Sequence, residues 1–307
     1  MSPSLLWSDA ALAGMFMGPI GVGGIAWYWG YKALRRGVRN PLARNLLRIA
    51  GQSRLEKIDD LRWDVAAYMG IGMLPAPIML AVYLEGWASE GGPPSWPLTL
   101  LCLAVFLLFQ AWAVGKLLHA LAVLRRMRLA HQAEVATGQE LNEVARLGYR
   151  VFHDLPFDGG RYDVDHVVVG PGGVFVIESK GRAHGAHGAH GGWTLRYDGE
   201  SLEFPGWEER KPLLEAVALA NRAQAWLSLV TGEAVRAHPV LVFPGWNVQR
   251  TSAEGITVLG GGELRGYFAG LEPDPKMTDK LVQRVAYELE LRCRDLAPIG
   301  YPEPDLS

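Results

Sequence analysis

Two carboxylates and a lysine occupy matching positions around a glycine-rich turn. The stretch DVDHVVVGPGGVFVIESK, residues 163–180, contains Asp165, Glu178 and Lys180. Its β-branched runs before and after residues 170–173 predict the two strands of a hairpin. A tight turn centred there pairs residues whose numbers sum to 343, so that Asp165 faces Glu178. We therefore expect both carboxylates at one end of an otherwise apolar hairpin.

This arrangement suits metal chemistry. Residues that face each other in an antiparallel pair have Cβ atoms about 4.5–5.5 Å apart on one face of the sheet. Two carboxylates at that spacing repel each other, and a hard cation such as Mg²⁺, with Mn²⁺ as a substitute, relieves the repulsion. Lys180 lies on the same face as Glu178, because side chains alternate along a strand. The three residues predict metal-assisted hydrolysis of a phosphodiester, whereas Glu178 and Lys180 alone would be typical of a solvated salt pair.

The surrounding sequence resembles the nuclease-related domain called NERD, a branch of the PD-(D/E)xK nuclease superfamily. The resemblance runs from about residue 138 to residue 267 and rests on three pieces, residues 148–155, 163–180 and 239–246. It implies that Asp165 and Glu178 bind the metal and that Lys180 is catalytic.

The resemblance also implies an acidic residue on the helix before the hairpin. Glu140 is the best candidate and Glu143 is the alternative. Family members often carry Pro-x-x-Gln on the helix after the hairpin, where this chain has PLLE, ending at Glu215, with Gln224 further along. The predicted catalytic residues are therefore Asp165, Glu178, Lys180 and Glu140.

The segments around the hairpin alternate between helical and strand patterns. Residues 117–148, 212–231 and 277–296 have helical patterns, and residues 240–243 are typical of a short buried strand. Strands flanked by helices predict an α/β domain, which the resemblance makes restriction-endonuclease-like with a mixed sheet. We place this domain at residues 129–270, followed by a C-terminal helix and tail at residues 271–307.

The first half of the chain contains three runs without a charged side chain. They cover about residues 10–31, 65–84 and 96–115. A helix of about 20 apolar residues crosses the hydrocarbon core of a bilayer, and core helices of soluble proteins rarely stay uncharged for so long. We therefore predict an N-terminal all-α transmembrane segment of three helices at residues 1–128.

The charges between these runs predict an orientation. Nine lysines and arginines lie in the loop at residues 32–64, and none lies at residues 85–95, which contain two glutamates. More basic residues follow residue 115. Because basic loops stay in the cytoplasm, the chain is predicted to be a multi-pass cell-membrane protein with its N-terminus outside and its nuclease domain cytoplasmic.

The overall charge leaves more than one function open. The net charge of −2 divides into +6 through residue 130 and −8 after it. A basic first half suits a lipid bilayer, but an acidic second half is unusual for a nucleic-acid binder. The leading prediction is a membrane-anchored nuclease, with DNA favoured over RNA as its partner. The alternative is a nucleic-acid-binding or sensor module with little turnover, and a transporter is disfavoured because the predicted spans carry no charge.

The two cysteines and a histidine repeat are further features of the sequence. Cys102 and Cys293 provide neither a disulfide framework nor zinc-site spacing, which indicates a reducing compartment. His184, His187 and His190 repeat in a glycine-rich stretch, which is typical either of a solvated insertion or of metal binding.

Overall fold

The computed structural model describes residues 46–73, 75–90, 95–157, 162–183 and 193–294. Two compact units are distinguished within these ranges. One comprises residues 59–124, and the other comprises residues 46–58 together with residues 125–294. The predicted first span at residues 10–31 and the histidine repeat at residues 184–190 lie outside the described residues.

From residue 46 onward, where the description of the chain begins, three helices precede the strands: α1 (Gln52–Met73), α2 (Pro75–Glu90) and α3 (Trp96–Ala145). Within the described part of the chain, two helical stretches rather than three are long and apolar enough to cross a membrane, Gln52–Ala81 and Thr99–Ala145. Only 0% and 6% of the residues in their most apolar windows are buried. A core helix of a soluble domain would be mostly buried, so these helices could cross a membrane, as predicted for the second and third spans.

The second unit contains the strands. In chain order they are β1 (Arg150–Phe157), β2 (Tyr162–Gly170), β3 (Gly173–Ser179), β4 (Thr194–Tyr197), β5 (Leu202–Phe204), β6 (Trp207–Glu209), β7 (Ala237–Phe243), β8 (Asn247–Arg250) and β9 (Thr257–Gly260). The helices that accompany them are α4 (Lys211–Thr231), α5 (Leu264–Ala269) and α6 (Asp279–Arg294).

A mixed five-stranded sheet forms the centre of this unit. Its order is β1-β2-β3-β7-β9, antiparallel from β1 to β3 and parallel from β3 to β9. A smaller four-stranded sheet has the order β6-β5-β4-β8. The predicted α/β domain with a mixed sheet and flanking helices is confirmed at this level.

Both faces of the five-stranded sheet are covered. On one face, Val167 and Val176 pack into a cluster with Ala223 of α4 and Val285 of α6. On the other face, the neighbouring strand residues pack against Leu141 and other apolar residues of α3 and α5. Burial on both faces explains why β2 and β3 read as nearly continuous apolar runs. Helix α6 therefore belongs to the core of the domain, although the sequence boundaries placed it after the domain.

The hairpin has the predicted register. The paired residues are His166 with Ile177, Val167 with Val176, Val168 with Phe175, Val169 with Val174, and Gly170 with Gly173. Each pair sums to 343, and Pro171 and Gly172 form the turn. The ring of Tyr149 covers this turn so closely that a Cβ at Gly170 would lie 2.3 Å from Tyr149 Cδ1. The tight turn fixes which residues face the core.

Candidate functional site

The two predicted metal ligands lie where β2 and β3 separate. The β2–β3 pairing ends at His166 and Ile177, one position before Asp165 and Glu178, and β3 continues along β7 with Glu178 beside Leu241. At the next position, the backbone N–H of Ser179 donates a hydrogen bond to Asp165 Oδ2 at 2.7 Å. The aspartate side chain thus takes over as acceptor where the strand pairing stops, which holds its carboxylate close to the end of β3.

Glu178 has one paired and one unpaired carboxylate oxygen. Oε1 accepts a hydrogen bond from Lys180 Nζ at 2.8 Å, whereas Oε2 is buried without a hydrogen-bond partner. The pKa of Glu178 is raised to about 7, because burial and then the charge of Asp165 together outweigh the opposing effect of Lys180. Burial also raises the pKa of Asp165, against the attraction of Arg54. A buried carboxylate oxygen without a hydrogen-bond partner needs an explanation, and a bound water or cation is one.

Lys180 is held between two glutamates. Its Nζ lies 2.8 Å from Glu178 Oε1 and 3.2 Å from Glu215 Oε2. Burial alone would lower the pKa of Lys180, but the carboxylates of Glu178, Asp165 and Glu215 raise it overall. The side chain is therefore an ammonium at neutral pH. It can donate hydrogen bonds and neutralise charge, but it is not a ready proton acceptor.

The structure brings Glu215 to the site but not the other predicted polar residues. Glu140 Oε1 accepts a hydrogen bond from the backbone N–H of Gly262 at 2.8 Å, and Glu140 does not line the cavity that contains Asp165 and Glu178. Glu143 forms an exposed ion pair with Arg146 at 2.7 Å. Gln224 Oε1 accepts a hydrogen bond from Ala237 N at 3.1 Å, which joins α4 to β7.

Glu134 is the carboxylate of α3 that lies at this cavity, whereas Glu140 was the predicted one. Glu134 is 2% exposed and lines the cavity with Asp165 and Glu178. At 3.6 residues per turn, Glu140 points about 120° away from Glu134 around the helix, and Glu143 about 180° away. The sequence could have pointed to Glu134, because its spacing places it on the same stripe of α3 as Thr137 and Leu141. That stripe is buried, and a carboxylate is unusual at a buried position.

We call this cavity the acidic cleft. Its volume is about 390 Å³, and its charged lining residues are Glu134, Asp154, Asp163, Asp165, Glu178, Glu215, Arg54, Lys57 and Arg222. Arg54 and Lys57 were not among the predicted site residues. A larger cavity of about 610 Å³ lies beside Tyr197, Arg250 and Tyr267 and contains none of the predicted site residues. The predicted metal ligands Asp165 and Glu178 line the smaller cleft instead.

The residues of the acidic cleft fit a divalent cation held by two protein carboxylates. Within the ranges that the structure describes, no group of three or more His, Cys, Asp or Glu side chains is arranged to hold a metal ion. Mg²⁺ is commonly bound by one or two carboxylates and keeps several waters. Asp165 and Glu178, with the unpaired Oε2 of Glu178, provide such a set.

The charges around these two residues also fit a divalent cation. The charged residues that line the acidic cleft, together with Lys180 on Glu178, comprise six carboxylates and four cations, which leaves two negative charges when all are ionised. One divalent cation would balance this excess, because opposite charges in a partly buried site attract strongly.

His166 lies on the face of β2 opposite Asp165, as strand alternation predicts. It is fully buried, and its Nδ1 lies 2.8 Å from Nδ1 of His153 on β1. Burial lowers the pKa of both histidines, that of His153 to about 4. Both rings are therefore neutral at pH 7, and one ring proton bridges the two nitrogens. His166 therefore packs against His153 inside the domain and does not face the cavity of Asp165 and Glu178.

Comparison with known proteins supports the nuclease resemblance. Residues 129–244 match the family model NERD, described as the nuclease-related domain. No curated protein and no solved structure matches the chain. The matched range includes Glu134, Asp165, Glu178, Lys180 and Glu215 but ends well short of Arg54 and Lys57 on the N-terminal side. The chain thus contains a nuclease-related domain at residues 129–244.

Proposed function

We propose that the chain is a membrane-anchored, metal-dependent nuclease of the PD-(D/E)xK type that hydrolyses phosphodiester bonds of nucleic acids in the cytoplasm. The observation that carries the proposal is the buried, unpaired Oε2 of Glu178. It lies in a cleft with Asp165, and Lys180 binds the other oxygen of the same carboxylate at 2.8 Å. These groups stand within the range that matches the nuclease-related domain.

Each residue has a distinct role in this proposal. Asp165 and Glu178 hold Mg²⁺, or Mn²⁺ in its place. The cation supplies Lewis-acid polarisation of the phosphate and the attacking water when bound. Lys180 carries a positive charge that orients water or neutralises charge on the phosphate. Glu134 balances the cationic groups from the side of α3, where it pairs with Arg54.

The membrane part of the proposal rests on the two apolar helices and the loop charges. Gln52–Ala81 and Thr99–Ala145 are long enough to span a bilayer, and the basic residues before and after them favour a cytoplasmic nuclease domain. A reporter fused after Arg128 should behave as cytoplasmic, and one inserted at residues 85–95 as external. The reverse pattern would contradict the orientation and remove access to intracellular nucleic acid.

A cleavage assay tests the activity. The full chain in detergent micelles is incubated with labelled DNA and RNA, single- and double-stranded, with Mg²⁺, Mn²⁺ or EDTA. We expect metal-dependent cleavage, with DNA preferred. Lys180→Ala should lower the rate by orders of magnitude, and Lys180→Arg should not restore it, because a planar guanidinium does not replace a compact ammonium.

The matched control is Lys280→Ala, since Lys280 is an exposed lysine on α6. It should cleave as fast as the wild type. Equal activity of Lys180→Ala and Lys280→Ala would mean that Lys180 is only an ion-pair partner of Glu178 and Glu215. Binding of nucleic acid by the wild type without any metal-dependent cleavage would favour the alternative, a binding or sensor module.

A further inference from the structure

A segment outside the family match is built into the nuclease unit. Residues 46–58 belong to the same compact unit as residues 125–294. Arg48, itself 7% exposed, places Nη1 3.0 Å from Asp154 Oδ2 and 3.0 Å from the Asp154 carbonyl oxygen. Ser53 N–H donates a hydrogen bond to the same carboxylate at 2.9 Å. The Arg48–Asp154 pair is buried and therefore little screened by salt. It attaches the segment of residues 46–58 to β1.

The backbone at these contacts is shaped for close packing. Asp154 has φ 54°, and it is the one residue other than glycine with positive φ in the ranges that the structure describes. On α3, a Cβ at Gly138 would lie 2.6 Å from Ala50 Cβ. Only glycine allows the segment to approach α3 this closely. The segment is therefore an integral part of the domain rather than a linker that happens to lie nearby.

This docking places two basic side chains at the acidic cleft. Arg54 pairs with Glu134, and its Nη2 lies 3.6 Å from Asp165 Oδ1. Lys57 Nζ lies 3.5 Å from Asp163 Oδ2. The Arg54 side chain is 28% exposed and that of Lys57 is 58% exposed. The two residues are three positions apart on α1, so they lie on the same side of the helix.

We propose that Arg54 and Lys57 form a phosphate-binding edge of the cleft, which holds the backbone of the nucleic acid beside Asp165 and Glu178. This inference rests on the proposed function. The chain after residue 130 carries a net charge of −8, which would repel a polyanion, and the docked segment adds two cations to the lining of the cleft. Both side chains are partly exposed, so they can exchange carboxylate partners for phosphate oxygens.

Because Arg54 lies beside Asp165, its removal should change cation binding and nucleic-acid binding in opposite directions. A guanidinium near a metal ligand repels a divalent cation, while it attracts a phosphate. Removing its charge should therefore strengthen cation binding and weaken nucleic-acid binding. A purely structural arginine would not produce effects of opposite sign, because loosening the fold weakens both.

The test uses the full chain in detergent with Lys180→Ala as the background, so that the oligonucleotide is not cleaved. Mn²⁺ affinity is measured by calorimetry without nucleic acid, and binding of a labelled oligonucleotide with Mn²⁺ is measured by anisotropy over a salt series. Arg54→Gln and Lys57→Gln are compared with Arg146→Gln, the control, which removes the same charge from an exposed pair just after the end of α3.

Arg54→Gln should bind Mn²⁺ several-fold more tightly and the oligonucleotide several-fold more weakly. Each of Arg54→Gln and Lys57→Gln should reduce the slope of log affinity against log salt by about 0.7–0.9, the change for one lost phosphate contact. Arg146→Gln should change neither quantity. Lys57→Gln keeps the inference testable if Arg54→Gln fails to fold, because Lys57 is largely exposed.

Two other results would each be decisive. Salt slopes for Arg54→Gln and Lys57→Gln equal to that of Arg146→Gln, with the Lys180→Ala parent binding the oligonucleotide, would overturn the phosphate-binding edge and leave the proposed function standing. Failure of both the wild type and the parent to bind any oligonucleotide, single- or double-stranded, DNA or RNA, would overturn the proposed function and the edge with it.

Discussion

Replacing Glu178 by glutamine should stabilise the metal-free protein at neutral and alkaline pH. The carboxyl has a pKa of about 7 in the fold, against an ordinary value of 4.5, because it is buried beside Asp165. The stability that protonated Glu178 provides is fully present below pH 4.5 and is lost as the pH rises through about 7. Glutamine mimics the protonated form, so Glu178→Gln should escape this loss.

The size of the effect follows from the two pKa values. The difference between 4.5 and about 7 corresponds to roughly 3 kcal/mol of unfavourable free energy when Glu178 is ionised in the fold. The attraction of Lys180 is already included in this value. The amide group of glutamine replaces a buried oxygen without a partner, and an unmade hydrogen bond there costs about 1–3 kcal/mol. We therefore expect a net gain of about 0–2 kcal/mol at pH 8 and a net loss of about 1–3 kcal/mol at pH 4.5, where the wild-type carboxyl is protonated.

Urea unfolding of the full chain in detergent with EDTA, from pH 4.5 to pH 8.5, measures this gain. The control is Glu143→Gln, because Glu143 lies in an exposed pair and its loss should change stability by less than about 0.5 kcal/mol at every pH. With Mg²⁺ the order should reverse, since only the wild type gains much from the cation by mass action. A variant less stable than the wild type at pH 8 in EDTA would refute the reasoning and would mean that the Lys180 ion pair outweighs burial.

Three further predictions follow from the same site. Asp165→Asn should leave the metal-free fold at least as stable but should remove most of the stabilisation by Mg²⁺ in thermal melts; equal gains in both proteins would show that Asp165 does not bind the cation. Glu134→Gln should slow cleavage more than Glu140→Gln in a steady-state assay, and the opposite order would return the helix carboxylate to Glu140. His153, whose pKa is lowered to about 4 by burial, should destabilise the fold as the pH falls from about 6.5 to 4. That loss should show most clearly in Glu178→Gln unfolding curves, where the opposing glutamate is absent, and a flat profile there would contradict the neutral histidine pair.

The hairpin at residues 163–180 was predictable from the sequence because its geometry is local. A tight turn at Pro171 and Gly172 and a side-chain period of two fix the register, and the observed pairs agree with it. The same alternation placed His166 away from Asp165. The register did not show that the β2–β3 pairing stops before Asp165. Beyond that point β3 pairs only with β7, which lies far away in the sequence.

The residues that complete the acidic cleft depended on packing between distant parts of the chain. The rotation of α3 about its axis, set by which stripe contacts the sheet, decides that Glu134 rather than Glu140 enters the cleft. Helical periodicity identifies the stripe of α3 that contacts the sheet only if a carboxylate is allowed among the buried residues of that stripe. Glu215 reaches Lys180 because α4 crosses the sheet at that end.

Local patterns in the sequence suffice to predict the hairpin, the mixed α/β domain and the long apolar helices, since each pattern lies within a short window. That residues 46–58 belong to the domain follows from the folded structure alone. The contacts of Arg48 with Asp154 and of Arg54 with Asp165 join residues more than a hundred positions apart. No local pattern encodes such a contact, because it depends on the shapes and charges of two surfaces that form only when the chain has folded.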